Sequence, residues 1–406
     1  MATLVSELDL PLVALIAGQS REDRHAQLRQ TAQQTWLARS EIGYSVLTHE
    51  AVLGILRDKR WHSATGLISQ LRGISDEQFL ARRRVSILNA EGEVHVRLRR
   101  LVAPAFSPRS ADRLRPFMRE TIHSLVDAVA STGEAEVVRD ICEPYPIPII
   151  CELLGAPKED WQSFSVWATD VLRIFSDSVV EDLPIIMKAQ DEINAYSRQL
   201  INERRSIPRD DLLTDLIRAE SDGDKLSTEE LEMMVEAVII GGTDTTRNQL
   251  GLALALFAAH PEQWALLAEQ PELAPRAVEE VMRYSGAVGG TVRFASEDIE
   301  YNGVLFPKGT FVSVSLSTGN YDPRQFSEPE VFDITREPAG QQQLGFGAGI
   351  HYCLGASLAR AELQESFMIL SQRMPSLTLN GPVEFKPTGV GIFGPSLLPV
   401  RFTPTA

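Results

Sequence analysis

The segment FGAGIHYCLG, residues 346–355, constrains the fold more than any other part of this 406-residue sequence. It sets Cys353 among glycines, and the following ASLARAELQESFMIL has the periodicity of a helix. Glycines let a backbone coil tightly enough to aim several amide groups at one sulfur atom. The positive end of the helix dipole also favours a thiolate. The segment therefore predicts a loop built around the sulfur of Cys353.

Three kinds of thiol chemistry fit such a loop to different degrees. Zinc sites use paired short motifs, whereas His351 and Cys353 have no second pair in the sequence. A catalytic thiol with His351 as its base leaves the glycines unexplained. A thiolate bound to iron explains them, because backbone N–H groups tune such a bond. Cys142 and Cys151 are predicted to be buried apolar side chains.

Composition limits the remaining choices. Three cysteines favour a reducing compartment over a disulfide scaffold. A net charge of −16 argues against nucleic acid or an anionic membrane as a partner. The N-terminus lacks a basic signal region, and no apolar run has the length of a membrane span. The predicted localisation is cytoplasmic.

Most of residues 110–273 has helical periodicity, while residues 42–48 and the alternating stretch around Asn302 and Gly303 are typical of strands. Without repeats or long linkers, the sequence predicts one domain, residues 1–406, mainly α with small, mostly antiparallel sheets.

One helix is predicted to be unusually long. Ser227 and Glu230 form a capping-box pattern, and helical periodicity continues to His260, where Pro261 follows. This length corresponds to roughly 50 Å. GGTDTT lies at its centre, although each interior glycine costs about 1 kcal/mol relative to alanine. Either a kinked core helix with a polar patch or a functional site explains this stretch.

FGAGIHYCLG resembles the haem-binding loop of the cytochrome P-450 superfamily, F-G-x-G-x-H/R-x-C-x-G, at every fixed position. Together with the motifs below, the resemblance covers nearly the whole chain. It implies a triangular, mainly α single domain around a non-covalent haem b. It also implies that Cys353 is the axial ligand of the iron, that Phe346 packs beside the thiolate, that His351 reaches a propionate and that Gly355 belongs to the cofactor loop.

Two further motifs match the family in the right order. EEVMRY is similar to the structural E-x-x-R pair, which implies that Glu280 and Arg283 support the haem loop. Val331 stands where the third member of that network often lies, so Arg336 or another donor is expected to complete it. GGTDTT is similar to the acid–alcohol motif, which implies that Asp244 and Thr245 deliver protons during oxygen activation.

The resemblance also implies residues that bind the propionates. HVRLRRLV matches H-x-x-x-R through His95 and Arg99, and TVRFA supplies Arg293. Tyr321 and Gln343 stand where the family often has an arginine and a histidine.

The implied activity is that of a soluble bacterial haem-thiolate monooxygenase that takes O2, two electrons and two protons. Ferredoxin and its reductase are the expected electron donors, and Arg360 is either a contact for them or a solvated charge. A hydrogen-peroxide-driven peroxygenase and a non-catalytic haem sensor are the alternatives.

The predicted substrate is bulky and lipophilic, such as a terpenoid, steroid or polyketide, because family analogy gives an apolar pocket in which glycines leave space. The alternative is a fatty or aromatic acid held by the arginines at 82–84; it ranks second because such a run is typical of a solvated face. The predicted pocket residues are Leu71, Val171, Phe175, Val238, Gly241, Val288, Gly290, Val390, Ile392 and Phe393.

Overall fold

A computed structural model describes residues 2–13, 19–71, 73–176, 178–221, 226–337, 342–386 and 392–405. Helices dominate the described part, as predicted. They are α1 Arg21–Gln34, α2 His49–Arg57, α3 Thr65–Leu71, α4 Glu77–Val85, α5 Gly92–Val102, α6 Pro108–Asp127, α7 Pro146–Leu154, α8 Trp161–Leu172, α9 Val179–Ser206, α10 Leu212–Ser221, α11 Thr228–Ala259, α12 Pro261–Glu269, α13 Ala274–Tyr284, α14 Leu316–Gly319 and α15 Ala356–Arg373.

The strands form small sheets. They are β1 Thr3–Leu4, β2 Leu37–Arg39, β3 Tyr44–Val46, β4 Trp61–Ser63, β5 Glu134–Glu136, β6 Gly290–Ala295, β7 Ile299–Tyr301, β8 Val304–Phe306, β9 Phe311–Ser315, β10 Thr378–Leu379, β11 Glu384–Phe385, β12 Pro395–Leu397 and β13 Pro399–Arg401. The largest sheet has the order β2-β3-β9-β6-β4. Most pairs are antiparallel, as predicted, but β1 pairs with β8 and β3 with β9 in parallel.

The long helix α11 organises the core. Its capping box is present: the Ser227 hydroxyl accepts from the Glu230 amide, and the Glu230 carboxylate accepts from the Ser227 amide. The helix runs through GGTDTT without interruption and packs against α7, α8 and α9. It also buries polar side chains along this stretch, because neighbouring helices surround it on several sides.

Two apolar groups fix the surrounding elements. The main core joins α6, α11, α12 and α15, where Phe257 packs against Trp264 and Phe367 at centroid distances of 4.9 and 5.5 Å. A second core lies on the largest sheet and includes Trp61 and Phe306. Within the described part of the chain, no helix is long and apolar enough to cross a membrane.

The two adjacent glycines of α11 have opposite surroundings. A Cβ at Gly242 would overlap the Ile150 side chain of α7, whereas a Cβ at Gly241 would meet no atom within 4 Å. Gly242 therefore allows two helices to approach closely, and Gly241 borders open space. Their sequence context is nearly the same, so this difference arises from packing alone.

This difference predicts opposite effects of two alanine substitutions. Gly242→Ala should lower the free energy of unfolding by about 1–2 kcal/mol, because repacking Ile150 costs more than the helix propensity gained. Gly241→Ala should raise it by up to about 1 kcal/mol. Urea unfolding of both variants measures the difference, and an equal effect of the two would contradict this packing argument.

Candidate active site

The loop at residues 346–355 brings Cys353 to the start of α15. The Cys353 amide donates to the Phe346 carbonyl at 2.9 Å. Gly347 and Gly349 both have φ of 70°, a left-handed conformation that favours glycine. A Cβ at Gly349 would overlap the Leu56 carbonyl, while a Cβ at Gly347 or Gly355 would meet no atom within 4 Å. The loop is therefore tight on one side and open on the other.

Cys353 keeps solvent-accessible surface, whereas Cys142 and Cys151 are buried. Partial burial raises the pKa of the Cys353 thiol, but the Gly355 amide and the Arg99 and Arg360 guanidiniums act to lower it. A cation bound at the sulfur, together with these donors, would favour the thiolate. The buried Cys142 and Cys151 have raised pKa values because of desolvation, as expected for apolar packing residues.

Two predicted propionate-binding residues have unused capacity to bind an anion. Burial lowers the pKa of His95 to about 4, so its ring is neutral, and its Nδ1 has no partner among the described residues. Arg293 is 4% exposed and donates only to Val292 and Thr291 oxygens in the hydrogen bonds of the described residues. Burial lowers the pKa of Arg293 to about 10, which leaves it cationic at neutral pH.

The other two predicted propionate-binding residues contact protein groups. Arg99 donates to the carbonyls of Ile350 and Tyr352 at 3.2 and 2.5 Å and so braces the cysteine loop. His351 Nε2 lies 2.9 Å from a Glu91 carboxylate oxygen, and the His95 and His351 rings are 4.6 Å apart. Arg99 and the two histidines are thus joined to the loop by direct contacts, and the charge of Glu91 acts on Arg293 as well.

These observations fit a flat, anionic macrocycle. A Cβ at Gly241, Gly347 or Gly355 would meet no atom within 4 Å, so these three positions present no obstacle to its face. The cationic Arg293 and the unpartnered His95 Nδ1 suit its carboxylates. Cys353 offers the soft ligand that iron binds.

The network under the loop is complete. Glu280 accepts two hydrogen bonds from Arg283, each of 2.8 Å, and one of 3.1 Å from Arg336. Arg283 also donates to the carbonyls of Asn320, Pro329 and Val331. Of the two possibilities left open by the sequence, Arg336 or another donor, the structure shows Arg336.

Three other residues have roles that the sequence did not indicate. Tyr321 donates to the Tyr284 carbonyl at 2.7 Å, and Gln343 donates to Glu279 at 3.1 Å. Arg360 is not simply a solvated charge, because it pairs with Glu279 at 2.5 Å and covers the Phe346 ring at 4.5 Å. Its guanidinium is therefore part of the support of the cysteine loop. Its contact with an electron donor stays a prediction.

Asp244 and Thr245 lie on α11 about one turn after Gly241, where a Cβ would meet no atom within 4 Å. Thr245 donates to the Gly241 carbonyl at 2.7 Å, which leaves its oxygen lone pairs available to a water molecule. Asp244 is buried and pairs with Arg247 and with Lys386, the latter at 3.4 Å. Sequence reasoning missed both cations, although Arg247 follows Asp244 at the i+3 spacing of a helical pair. Nothing local points to Lys386.

Several predicted pocket residues meet in one apolar group. Phe175, Val288, Ile392 and Phe393 pack together with Leu172, Ile240, Leu252 and Ala287. The Phe393 ring also stacks on Phe385 at 5.2 Å and receives the Arg21 guanidinium at 3.7 Å. The helices α8 and α11 therefore meet the C-terminal hairpin, which is the antiparallel pair β11 and β12 with the residues beside it.

Other predicted pocket residues lie elsewhere. Val171 and Val238 belong to the main core, and Leu71 is 54% exposed on α3. Gly290 does not create pocket space, because a Cβ there would lie 2.9 Å from the Val314 carbonyl of the neighbouring strand. Val390 is outside the described residues.

Comparison with known proteins agrees with this geometry. The family model for cytochrome P-450 matches residues 75–374. The luteothin monooxygenase of Streptomyces thioluteus is 35% identical over 93% of this chain and 92% of its own length. The mycinamicin IV hydroxylase/epoxidase of Micromonospora griseorubida is 38% identical over 73% of this chain and 74% of its own.

A solved structure is similar throughout. P450BioI, in complex with an acyl carrier protein ligated to hexadec-9Z-enoic acid, superposes with a TM-score of 0.87 at 32% identity. The match covers 94% of this chain and 99% of that one.

The Glu280 network predicts an unequal effect of two arginine substitutions. Arg336→Ala should destabilise the protein by about 2 kcal/mol and reduce cofactor retention, since it removes a bond to a buried carboxylate. Arg276→Ala removes an exposed pair with Glu337 and a long, exposed bond of 3.4 Å to the Thr335 carbonyl, together worth about 1 kcal/mol or less, and is the control. Thermal unfolding and absorbance per protein measure both effects. Equal losses would show that Arg336 is no more than a surface contact.

Proposed function

The chain belongs to the cytochrome P-450 family, and on this basis we propose how its own residues carry out the family's monooxygenase reaction. Members of the family hold haem b through a cysteine and take electrons from redox partners to oxidise lipophilic molecules with O2. We assign the ligand to Cys353. The observation that carries this assignment is the position of Cys353, a residue that keeps solvent-accessible surface at the start of α15, in a loop where a Cβ at Gly347 or Gly355 would meet no atom.

The remaining site residues have four tasks. His95 and Arg293 bind the cofactor's propionates. Arg99 holds the cysteine loop through the Ile350 carbonyl, and His351 pairs with Glu91. Phe346, Gly355 and Arg360 shape the side of the loop near the sulfur. Glu280 and Arg283 fix the segment that precedes it. When bound, haem supplies the iron at which O2 is reduced.

We assign proton delivery to Thr245 and Asp244. The Thr245 hydroxyl donates to a carbonyl, so it can accept a hydrogen bond from a water molecule and orient that molecule. Asp244 connects this point to Arg247 and Lys386, and a carboxylate in such a position can transfer protons inward. The pairing with Arg247 and Lys386 holds the Asp244 carboxylate in position between proton transfers.

The substrate is proposed to be a bulky lipophilic molecule. The apolar group around Phe175, Ile392 and Phe393, together with the space at Gly241, supports this choice. Two relatives are named for luteothin and mycinamicin IV, and P450BioI carries a fatty acyl chain. Ferredoxin with its reductase is the proposed electron source.

The ligand assignment predicts the spectrum of the protein. The reduced protein under carbon monoxide should show the strongly red-shifted Soret band of a thiolate-ligated haem, and Cys353→Ala should lose it. Cys151→Ala is the matched control, because that thiol is buried in the core, and it should keep the band. A histidine-type spectrum of the unmodified protein would refute the assignment.

The proton-delivery role predicts how electrons are used. Thr245→Ala should divert at least several-fold more reducing equivalents into hydrogen peroxide, and Asp244→Asn should slow turnover. Thr243→Ala is the control, because that hydroxyl also donates to a carbonyl one turn back, at 2.9 Å, but is buried in the core. NADH consumption with a surrogate ferredoxin system, compared with peroxide and product yields, gives the result. Full coupling in Thr245→Ala would exclude this role.

A further inference from the structure

A buried polar cluster joins α4, α9 and α11. It consists of Arg83, Gln190 and Glu236, which are 7%, 2% and 4% exposed, and we refer to it as the Arg83 cluster. Gln190 donates to one Glu236 oxygen at 3.3 Å. Within the described residues, Arg83 Nε and Nη2, Gln190 Oε1 and Glu236 Oε2 have no hydrogen-bond partner. Such groups are rare in protein interiors and call for a ligand or a water molecule.

Arg83 differs from the arginines beside it. Arg82 pairs with Asp191 at 2.5 Å, and the Arg84 side chain is 66% exposed. Arg83 instead follows Phe79 and Leu80 on the buried face of α4. The prediction that this run is a solvated face is therefore wrong for Arg83, because the helix turns its central arginine inward.

The guanidinium stays charged in this position. Burial lowers the pKa of Arg83 to about 10, and Glu236 acts in the opposite direction. Burial raises the pKa of Glu236, although Gln190, Arg83 and Arg82 act to lower it. A buried cation without a bonded anion is costly, so a missing anion would be bound favourably. The two free donors, Nε and Nη2, form the edge of the guanidinium that matches both oxygens of a carboxylate.

The cluster lies next to the apolar part of the pocket. Phe79 and Leu80 of α4 pack in an apolar group that reaches Phe175, and Phe175 also contacts the group around Ile392. Along α11, Glu236 precedes Gly241 by five residues, or about 7.5 Å of helix. Apolar side chains in contact therefore extend from α4, which carries Arg83, through Phe175 to the group around Ile392.

We propose that Arg83 binds a carboxylate at the far end of an extended lipophilic substrate, whose chain crosses Phe175 toward Gly241. This inference rests on the proposed function and narrows its substrate class to molecules with an acidic head group. Gln190 and Glu236 complete the head-group site. Burial raises the pKa of Glu236, and this favours the acid form, which can donate a hydrogen bond to the ligand's carboxylate.

The test compares dodecanoic acid with methyl dodecanoate on the haem-loaded protein, by spectral titration and by isothermal titration calorimetry. The unmodified protein should bind the acid at least tenfold more tightly than the ester. Arg83→Gln should weaken the acid at least tenfold and leave the ester unchanged. Arg84→Gln removes the same charge from an exposed neighbour and should change neither affinity.

Several outcomes overturn the inference. One is that the unmodified protein binds the acid and the ester with equal affinity. Another is that Arg83→Gln and Arg84→Gln lose the same affinity for the acid. The third is that only the Glu236→Gln variant prefers the acid. The last would mean that Glu236 is the permanent anion of Arg83. If Arg83→Gln fails to fold, the acid–ester comparison on the unmodified protein and on Arg83→Lys decides. Failure of the proposed function is distinct, because it would remove the carbon monoxide band.

Discussion

The bonds of Arg283 determine where the cysteine loop can lie. This buried guanidinium binds Glu280 and also collects the carbonyls of Asn320, Pro329 and Val331, so it fixes a segment far away in sequence. The Asn320 side chain then accepts from the Leu344 amide at 2.7 Å, directly before the loop. A continuous series of hydrogen bonds thus links α13 to the position of Cys353. Because the charges are buried, this support would be costly to break.

Local signals in the sequence were sufficient for the elements that they encode directly. The capping box at Ser227 marked the start of α11, and Asn302 and Gly303, both with positive φ, formed the predicted turn. The parallel pairing of β3 with β9 could not be predicted, because it joins residues more than two hundred positions apart. The contact between Lys386 and Asp244 could not be predicted for a similar reason, because only the packing of the C-terminal hairpin against α11 brings the two residues together.

The glycines show most clearly what could not be predicted from the sequence. The residue type indicates that space or an unusual conformation is needed, but not which. Gly241 borders open space, Gly242 admits a neighbouring helix and Gly290 admits a neighbouring strand. The prediction that Gly241 and Gly290 both leave space for a substrate is wrong for Gly290, because the atoms next to Gly290 belong to a strand that is distant in the sequence.

Some buried charges are balanced by other residues of the chain, whereas others need a ligand to balance them. Glu280 has two arginine partners and Asp244 has two cationic ones, so each is balanced within the chain. Arg293 and Arg83 are buried as deeply, yet neither has a carboxylate partner at salt-bridge distance in the described part of the structure. Folding alone gives no reason to retain such a cation in the interior, because an apolar side chain there would be less costly. A binding function gives that reason, and the two positions suit two different carboxylates: those of the cofactor at Arg293 and that of the substrate at Arg83.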